Sequence, residues 1–366
     1  SEGPHMLGGV QIVSQSSLGI TRVKRKDRHR GARAQQLENQ QFLTWLSVEM
    51  SLEREWQKIQ EETYRSMLKR EQRFGLGEKQ SDVITVQPYN ENRVELENIS
   101  IESEEDLTFI NASFVDDKNY IAAAMPHNLA SERDFWRMIY EQDVPTVVML
   151  NKPTERKKIP YWPNKQEKIR AYSDVIKVIL LEEEYDQNIY CWVRKFQVIV
   201  NKKYYKQGEP DWNFDDEFLV SCDYNFNEKE TERKLNDTEE ALKDCSVTVT
   251  HLQYDDWDDM RIPDEKEVFY QFMYMTSKQQ EETEHRGPMV VHCFGGVGRT
   301  GTFLVIHSTI QKMTRLGGKA INVLDILGMM REERSSLVQT AEQYKFCYRM
   351  IWQFYEDRRF FRAALV

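Results

Sequence analysis

His292-Cys293-Phe294-Gly295-Gly296-Val297-Gly298-Arg299-Thr300-Gly301 joins an apolar run, residues 289–293, directly to a stretch with helical spacing. Glycines at 295, 296 and 298 let the backbone bend so that successive N–H groups point inward, and the helix that follows adds the positive end of its dipole. A concavity of that kind holds a tetrahedral anion. Arg299 contributes a planar fork that matches two oxygens of a phosphate. The same field favours thiolate over thiol at Cys293, which would make its sulfur a nucleophile. Thr300 brings a hydroxyl close to that sulfur. A buried core cysteine beside a tight turn is the competing reading, because cysteine is often buried. A glycine-rich bend with Arg six residues after Cys, between strand and helix, favours a phosphate-binding loop formed by Cys293, Phe294, Gly295, Gly296, Val297, Gly298 and Arg299.

Outward from the loop, short apolar or alternating runs predict strands at 82–86, 93–96, 109–114, 119–124, 146–150, 246–254 and 289–293. Two alternating runs, 175–181 and 190–200, with an acidic turn over 182–188 between them, read as a hairpin. Helical spacing covers 134–141, 300–316, 321–333 and 341–357. Residues 35–72 also read as helix, with Leu37, Phe42, Leu46, Met50, Trp56 and Ile59 at three- to four-residue steps. The economical architecture is α/β, a mixed sheet with helices on its faces.

Composition narrows the class. Of 366 residues, 40% are hydrophobic and 30% charged, which is globular rather than disordered. No apolar run approaches the roughly 20 residues that span a bilayer. Five scattered cysteines without CxxC spacing suggest neither a disulfide framework nor a zinc site, and fit a reducing, cytoplasmic setting. A net charge of −10 argues against nucleic acid as a partner. Residues 21–33 are locally basic, with seven Lys or Arg, and read as a flexible arm or as a docking or import segment. Residues 1–6 read as a cloning remnant.

The HCxxGxGR[ST]G pattern resembles the signature of the cysteine-dependent, tyrosine-specific protein phosphatases, and further landmarks follow in that family's order. Phe109-Ile110-Asn111-Ala112-Ser113 is similar to its YINAS strand, and Asp134-Phe135-Trp136-Arg137-Met138 to its DFWRM helix. Tyr161-Trp162-Pro163 is similar to its YWP segment, residues 251–263 (HLQYDDWDDMRIP) to its acid loop, and residues 337–344 (LVQTAEQY) to its VQTxxQY loop. The resemblance implies that family's fold, a highly twisted mixed sheet flanked by helices, here with an N-terminal helical extension. It divides the chain into an arm (1–34), a helical segment (35–72) and the phosphatase-like domain (73–360).

The resemblance also implies roles. Cys293 would attack a phosphotyrosine held by Arg299 and the loop amides. Asp259 would protonate the leaving phenolate, and Gln339, helped by Gln343, would position the water that hydrolyses the cysteinyl phosphate. No metal or other cofactor is implied. Glu155 matches an acid that braces Arg299, with a solvated surface ion pair as the competing reading. Arg331 and Arg334 match arginines beneath the phosphate loop, or else lie on a helix surface.

Departures from the family cluster around the pocket. Val83 stands where a tyrosine packs on the substrate ring, a loss of about 0.5–1.5 kcal/mol. Thr85 replaces an acidic residue that grips the substrate backbone, so substrate recognition falls to Val83, Thr85 and Gln343. The acid loop reads WDD in place of WPD, and Asp255, Asp256, Asp258 and Asp259 put four carboxylates in five positions. Mutual repulsion would disfavour their charge and resist closure over a dianion, unless Asp255, Asp256 and Asp258 point into solvent. Phe294 stands where a small hydroxyl residue is common, and residues 121–126 (IAAAMP) lack two polar groups of the family's stretch. This drift resembles the pseudophosphatases, and in texture the nematode egg-activation members that restrain a kinase. The expected partner is a phosphotyrosine-bearing protein such as a kinase, bound without efficient turnover; an active phosphatase is the alternative.

Overall fold

The computed structural model describes residues 47–63, 65, 86–101, 107–153, 155, 159–205, 245–283, 287–316 and 321–363. The chain divides into two units, Ser1–Ser51 and Leu52–Val366. The described part of the first, residues 47–51, is helical. The second opens with α1, residues 52–63. The expected strand at 82–86 and the recognition positions Val83 and Thr85 lie outside the described residues, as do the basic arm and Cys222.

Nine strands make one mixed sheet among the described residues: β1 Arg93–Glu95, β2 Phe109–Val115, β3 Tyr120–Ala124, β4 Thr146–Met149, β5 Ile169–Tyr172, β6 Ile176–Asp186, β7 Cys191–Val200, β8 Ser246–Tyr254 and β9 Met289–Cys293. Their order is β1-β2-β3-β9-β4-β8-β7-β6-β5. The three central pairings, β3 with β9, β9 with β4 and β4 with β8, are parallel, and the outer ones antiparallel. β9, which ends on Cys293, is therefore central and covered on both faces, which is why its sequence is apolar apart from the hydrogen-bonded His292. The helices are α2 Leu129–Glu141, α3 Lys266–Glu282, α4 Gly298–Arg315, α5 Val323–Glu333 and α6 Ala341–Ala363.

Strand periodicity sorts the core into two layers. Met289, Val291 and Cys293 of β9 pack with Leu252 and Tyr254 of β8 against Phe269, Phe272, Phe303, Leu304 and Leu327 of α3, α4 and α5. Val290, Val147, Met149 and Val249 face the other way, against Phe135, Trp136 and Ile139 of α2. Cys293 thus belongs to the layer of α4, and His292 to that of α2.

Two expectations need correction. The acidic run 182–188 is not a turn. Glu182 to Asp186 continue β6 against Lys195 to Cys191 of β7 beyond a register shift at Leu180/Glu182, and the reversal falls at 187–190. Edge charges such as Glu183 are tolerated in a strand because Arg194 on β7 meets them at 2.6 Å. Helix α3 and strand β5 were not anticipated. The aromatic-rich run Phe269, Tyr270, Phe272, Tyr274 in α3 has no polar face clear enough to show its period.

Candidate active site

The end of β9, the uncapped start of α4 and three supporting loops build the site. Asn128 and Asn322 cap α2 and α5 with side-chain hydrogen bonds, whereas Val297 gives α4 none. The first N–H groups of α4 are thus left for a ligand. Gly296 has φ +67°, and a Cβ there would collide with the Ala123 carbonyl, so only glycine fits the loop against β3. Gly295 is different, because a Cβ there meets nothing nearer than Val297 Cγ2 at 3.6 Å. Of the three glycines, 295 is not required sterically. Phe294 is half-buried, and its carbonyl accepts from Met125 N at 3.0 Å.

What turns the loop amides inward is the removal of its carbonyls. Arg334 is fully buried and donates from Nε to Gly296 O (2.8 Å) and from Nη2 to Gly295 O (3.2 Å). Its remaining donors go to Ser113 Oγ and Asn111 Oδ1 on β2. Burial lowers its pKa to about 10, so the guanidinium keeps its charge at neutral pH. Arg334 therefore lies beneath the phosphate loop as expected. Arg331 does not: it binds the carbonyls of Leu337 and Val338 instead.

Arg299 is 1% exposed and is gripped from three sides. Glu155 takes both terminal nitrogens, Nη1 at 2.8 Å and Nη2 at 2.7 Å. This settles the Glu155 question in favour of a brace: the fork-to-fork pair is held by a side chain only 23% exposed. Nη1 also donates to Trp257 O at 2.9 Å, and Nη2 to Asp259 Oδ1 at 3.1 Å. The acid loop is thereby drawn onto the phosphate loop. Within it, Trp257 Nε1 donates to Arg261 O, and Met260 adopts φ +60° to make the reversal. Two donors of the site, Arg299 Nε and Thr300 Oγ1, are buried with no partner among the described residues. Buried donors of this kind are ordinarily satisfied, and an oxyanion would satisfy them. Both Arg299 and Arg334 interact electrostatically with Cys293, which is 3% exposed at the floor.

Gln339 lies across α4's first turn, where a Cβ on Gly298 would overlap its Oε1. Gln343 is fully buried, and its Oε1 accepts from Gln339 N (2.9 Å) while its Nε2 donates to Arg261 O (3.2 Å). Its carboxamide is thus a clasp between the Gln339 segment and the acid loop. Among the four aspartates, Asp255 and Asp256 are half-buried and Asp258 is exposed. The Asp255 and Asp256 carboxyls are raised above the usual range, first by burial and only secondarily by neighbouring carboxylates. Burial, rather than the mutual repulsion anticipated, is the main cause.

Behind the loop, the Tyr161 hydroxyl lies between His292 Nε2 (2.7 Å) and His251 Nε2 (2.9 Å). His292 Nδ1 faces the Cys293 carbonyl at 3.3 Å. Burial pushes His292 down to about 4, so the ring is neutral and fixes the strand end without adding charge. Tyr161 was visible in the sequence only as a landmark; its hydroxyl's partners come from two separate strands, β9 and β8. A cavity of about 380 Å³ on the far strands, lined by Glu182, Glu184, Lys195, Thr248 and Thr250 among others, includes none of these residues.

Residues 78–208 and 200–353 match the family described as Protein-tyrosine phosphatase. The chain belongs to this family. It is 30% identical over 274 residues to tyrosine-protein phosphatase Lar of Drosophila melanogaster, covering 73% of this chain and 11% of that protein. Receptor-type tyrosine-protein phosphatase S of Gallus gallus is 30% identical over 273 residues, 73% of this chain and 15% of that protein. Tyrosine-protein phosphatase 2 of Dictyostelium discoideum is 30% identical over 249 residues, 66% of this chain and 53% of that protein. The chain thus spans between about a tenth and a half of these relatives. Family membership gives a phosphotyrosine phosphatase-like domain on a mixed α/β sheet. Among the described residues no helix is long and apolar enough to cross a membrane.

Proposed function

We propose that this domain binds phosphotyrosine in the 293–299 loop and is impaired in turning it over, so that it acts chiefly by holding a phosphorylated protein partner. A kinase phosphorylated on tyrosine has the right chemistry. The observation that carries the reading is the Asp259–Arg299 ion pair at 3.1 Å. The carboxylate assigned to the leaving phenolate is engaged on the guanidinium that must hold the phosphate. It competes with an incoming dianion, and it must leave Arg299 before it can donate a proton. Cys293 and Arg299 remain the nucleophile and the anion fork, with Thr300 beside them. The domain is taken to run over 73–360, in a reducing cytoplasmic setting.

An active phosphatase is the second reading. The Gln339 side chain lies against Gly298 in the first turn of α4, and Trp257 O holds the acid loop to Arg299, which supports this reading. The two readings separate in one assay, with p-nitrophenyl phosphate and a phosphotyrosine peptide as substrates beside Cys293→Ser and Arg299→Ala. Peptide capture that needs Arg299, with peptide turnover at least about a hundredfold below a typical kcat of about 10 s⁻¹, is expected. Peptide turnover near that typical value, abolished by Cys293→Ser, would refute impairment.

A further inference from the structure

Val338 has φ +63°, in the left-handed region where a β-branched residue is an outlier. Such a conformation persists only where its surroundings over-determine it. Here the Val338 N–H donates to Val297 O at 3.0 Å, inside the phosphate loop. Its carbonyl accepts from Arg331 Nη2 at 2.6 Å, and the preceding Leu337 carbonyl accepts from Arg331 Nε at 2.8 Å. One guanidinium therefore pins two consecutive carbonyls. The next residue is Gln339, whose carboxamide lies against Gly298. The direction of Gln339 follows from the φ of Val338.

Arg331 is itself 7% exposed in the last turn of α5. Its third nitrogen, Nη1, donates to Thr63 Oγ1 at 2.7 Å and faces Gln60 Oε1 at 3.4 Å, and the guanidinium lies 5.2 Å over the Trp56 ring. All of its hydrogen-bond partners are neutral, and among the described residues no carboxylate pairs with it. A buried cation without a counterion depends on every acceptor it has. Half of those acceptors belong to the Gln339 segment and half to α1.

We propose that Arg331 is a positioning residue for the hydrolytic step, holding Val338 left-handed so that Gln339 faces the phosphate loop, with Trp56, Gln60 and Thr63 of α1 controlling that hold. The proposal rests on the reading that Cys293 becomes phosphorylated, however slowly. If so, the helix that precedes the sheet governs how long a cysteinyl phosphate survives, without touching substrate.

The test compares Arg331→Met, which keeps the reach but loses the donors, with the double variant Arg331→Met/Val338→Gly. Glycine adopts positive φ without strain, so it should keep the segment in place once Arg331 is gone. Amide hydrogen exchange over residues 338–340 reads the segment directly. Turnover of p-nitrophenyl phosphate, whose leaving group needs no acid, together with acid-trapped phosphoprotein, reads the hydrolytic step. In Arg331→Met, exchange should rise by about tenfold, and kcat and KM should fall together by about tenfold, leaving kcat/KM unchanged, with more trapped phosphoprotein. The double variant should recover most of both changes. The urea midpoint is measured on the same samples: recovery of exchange and kcat without a rise in global stability over Arg331→Met places the effect in the segment, and recovery that only tracks the midpoint overturns the proposal. Thr63→Val should show the same pattern more weakly. Unchanged exchange in Arg331→Met, or a double variant no better than the single, overturns the proposal. A wild-type protein that neither turns over nor traps phosphate overturns the phosphorylation reading and with it the hydrolytic role; the exchange arm then separately decides whether Arg331 holds the segment.

Discussion

Removing the Asp259 carboxylate should tighten, not loosen, the binding of a phosphate group. Asp259 meets Arg299 at 3.1 Å, but its side chain is 48% exposed whereas that of Arg299 is not exposed at all. A pair half open to solvent is worth about 0.2–1 kcal/mol after screening. An incoming phosphate must displace that interaction, so Asp259→Ala should raise affinity by about 1.4- to 5-fold. Asp258→Ala is the internal control, since it removes the same charge one residue away from an exposed position without the Arg299 contact. Its effect is long-range and should fade as salt rises from 0.05 to 0.5 M, through a Debye length that shrinks from more than about 10 Å to less than about 5 Å. The contact at Asp259 should fade less. Titration calorimetry with a phosphotyrosine peptide on the Cys293→Ser background, at both salt concentrations, gives the comparison. Equal gains for the two variants, or weaker binding in Asp259→Ala, would mean that Asp259 does not occupy the anion's seat.

Other outcomes follow from the same geometry. Gly296→Ala forces a Cβ into the Ala123 carbonyl at φ +67°, so it should lose at least about 2 kcal/mol of stability and its peptide binding. Gly295→Ala, with room for the methyl, should change the urea midpoint little. Arg334→Met leaves two loop carbonyls and two side chains of β2 without their buried donor. It should cost about 1–3 kcal/mol for each buried acceptor left unpaired and abolish anion binding, measured by denaturation and calorimetry on the same sample. Stability should also fall with acidity. His292 and His307 are pushed down to about 4 by burial, and His251 well below its usual value. The unfolded chain takes up these protons near pH 6.5 while the folded chain refuses them until well below, so stability present at neutral pH is lost as pH drops below about 6.5. Each histidine contributes up to about 1.4 kcal/mol per pH unit. Asp255 and Asp256 act in the opposite sense at lower pH, so urea midpoints between pH 7.5 and 5.5 give the cleanest slope. A flat profile over that range would contradict the buried neutral histidines.

The local part of this molecule is legible in its sequence. The 292–301 segment shows its strand, its bend and its helix start, because glycine placement and the Cys-to-Arg spacing are properties of contiguous chain. The apolar runs of β4 and β9 announce buried strands for the same reason, and the family landmarks place Asp259 and Gln339 around them. What the sequence could not rank was any pairing across distance. Glu155, among basic neighbours, looked as much like a solvated ion pair as a brace, and only the tertiary fold brings it, from 144 positions away in the sequence, into a bidentate pair with Arg299. Arg331 and Arg334 look alike three residues apart, yet the 100° turn per residue of a helix and the end of α5 between them send one to Val338 and the other to Gly296. The four aspartates read as one repelling cluster; burial, which depends on what packs over each, separates Asp255 and Asp256 from Asp258 and Asp259. The sequence by itself determined that a phosphate loop stands at the end of a buried strand. Only the tertiary structure decided that its arginine is already held by two carboxylates, because Coulomb energy depends on distance and desolvation, and neither is written in the order of residues.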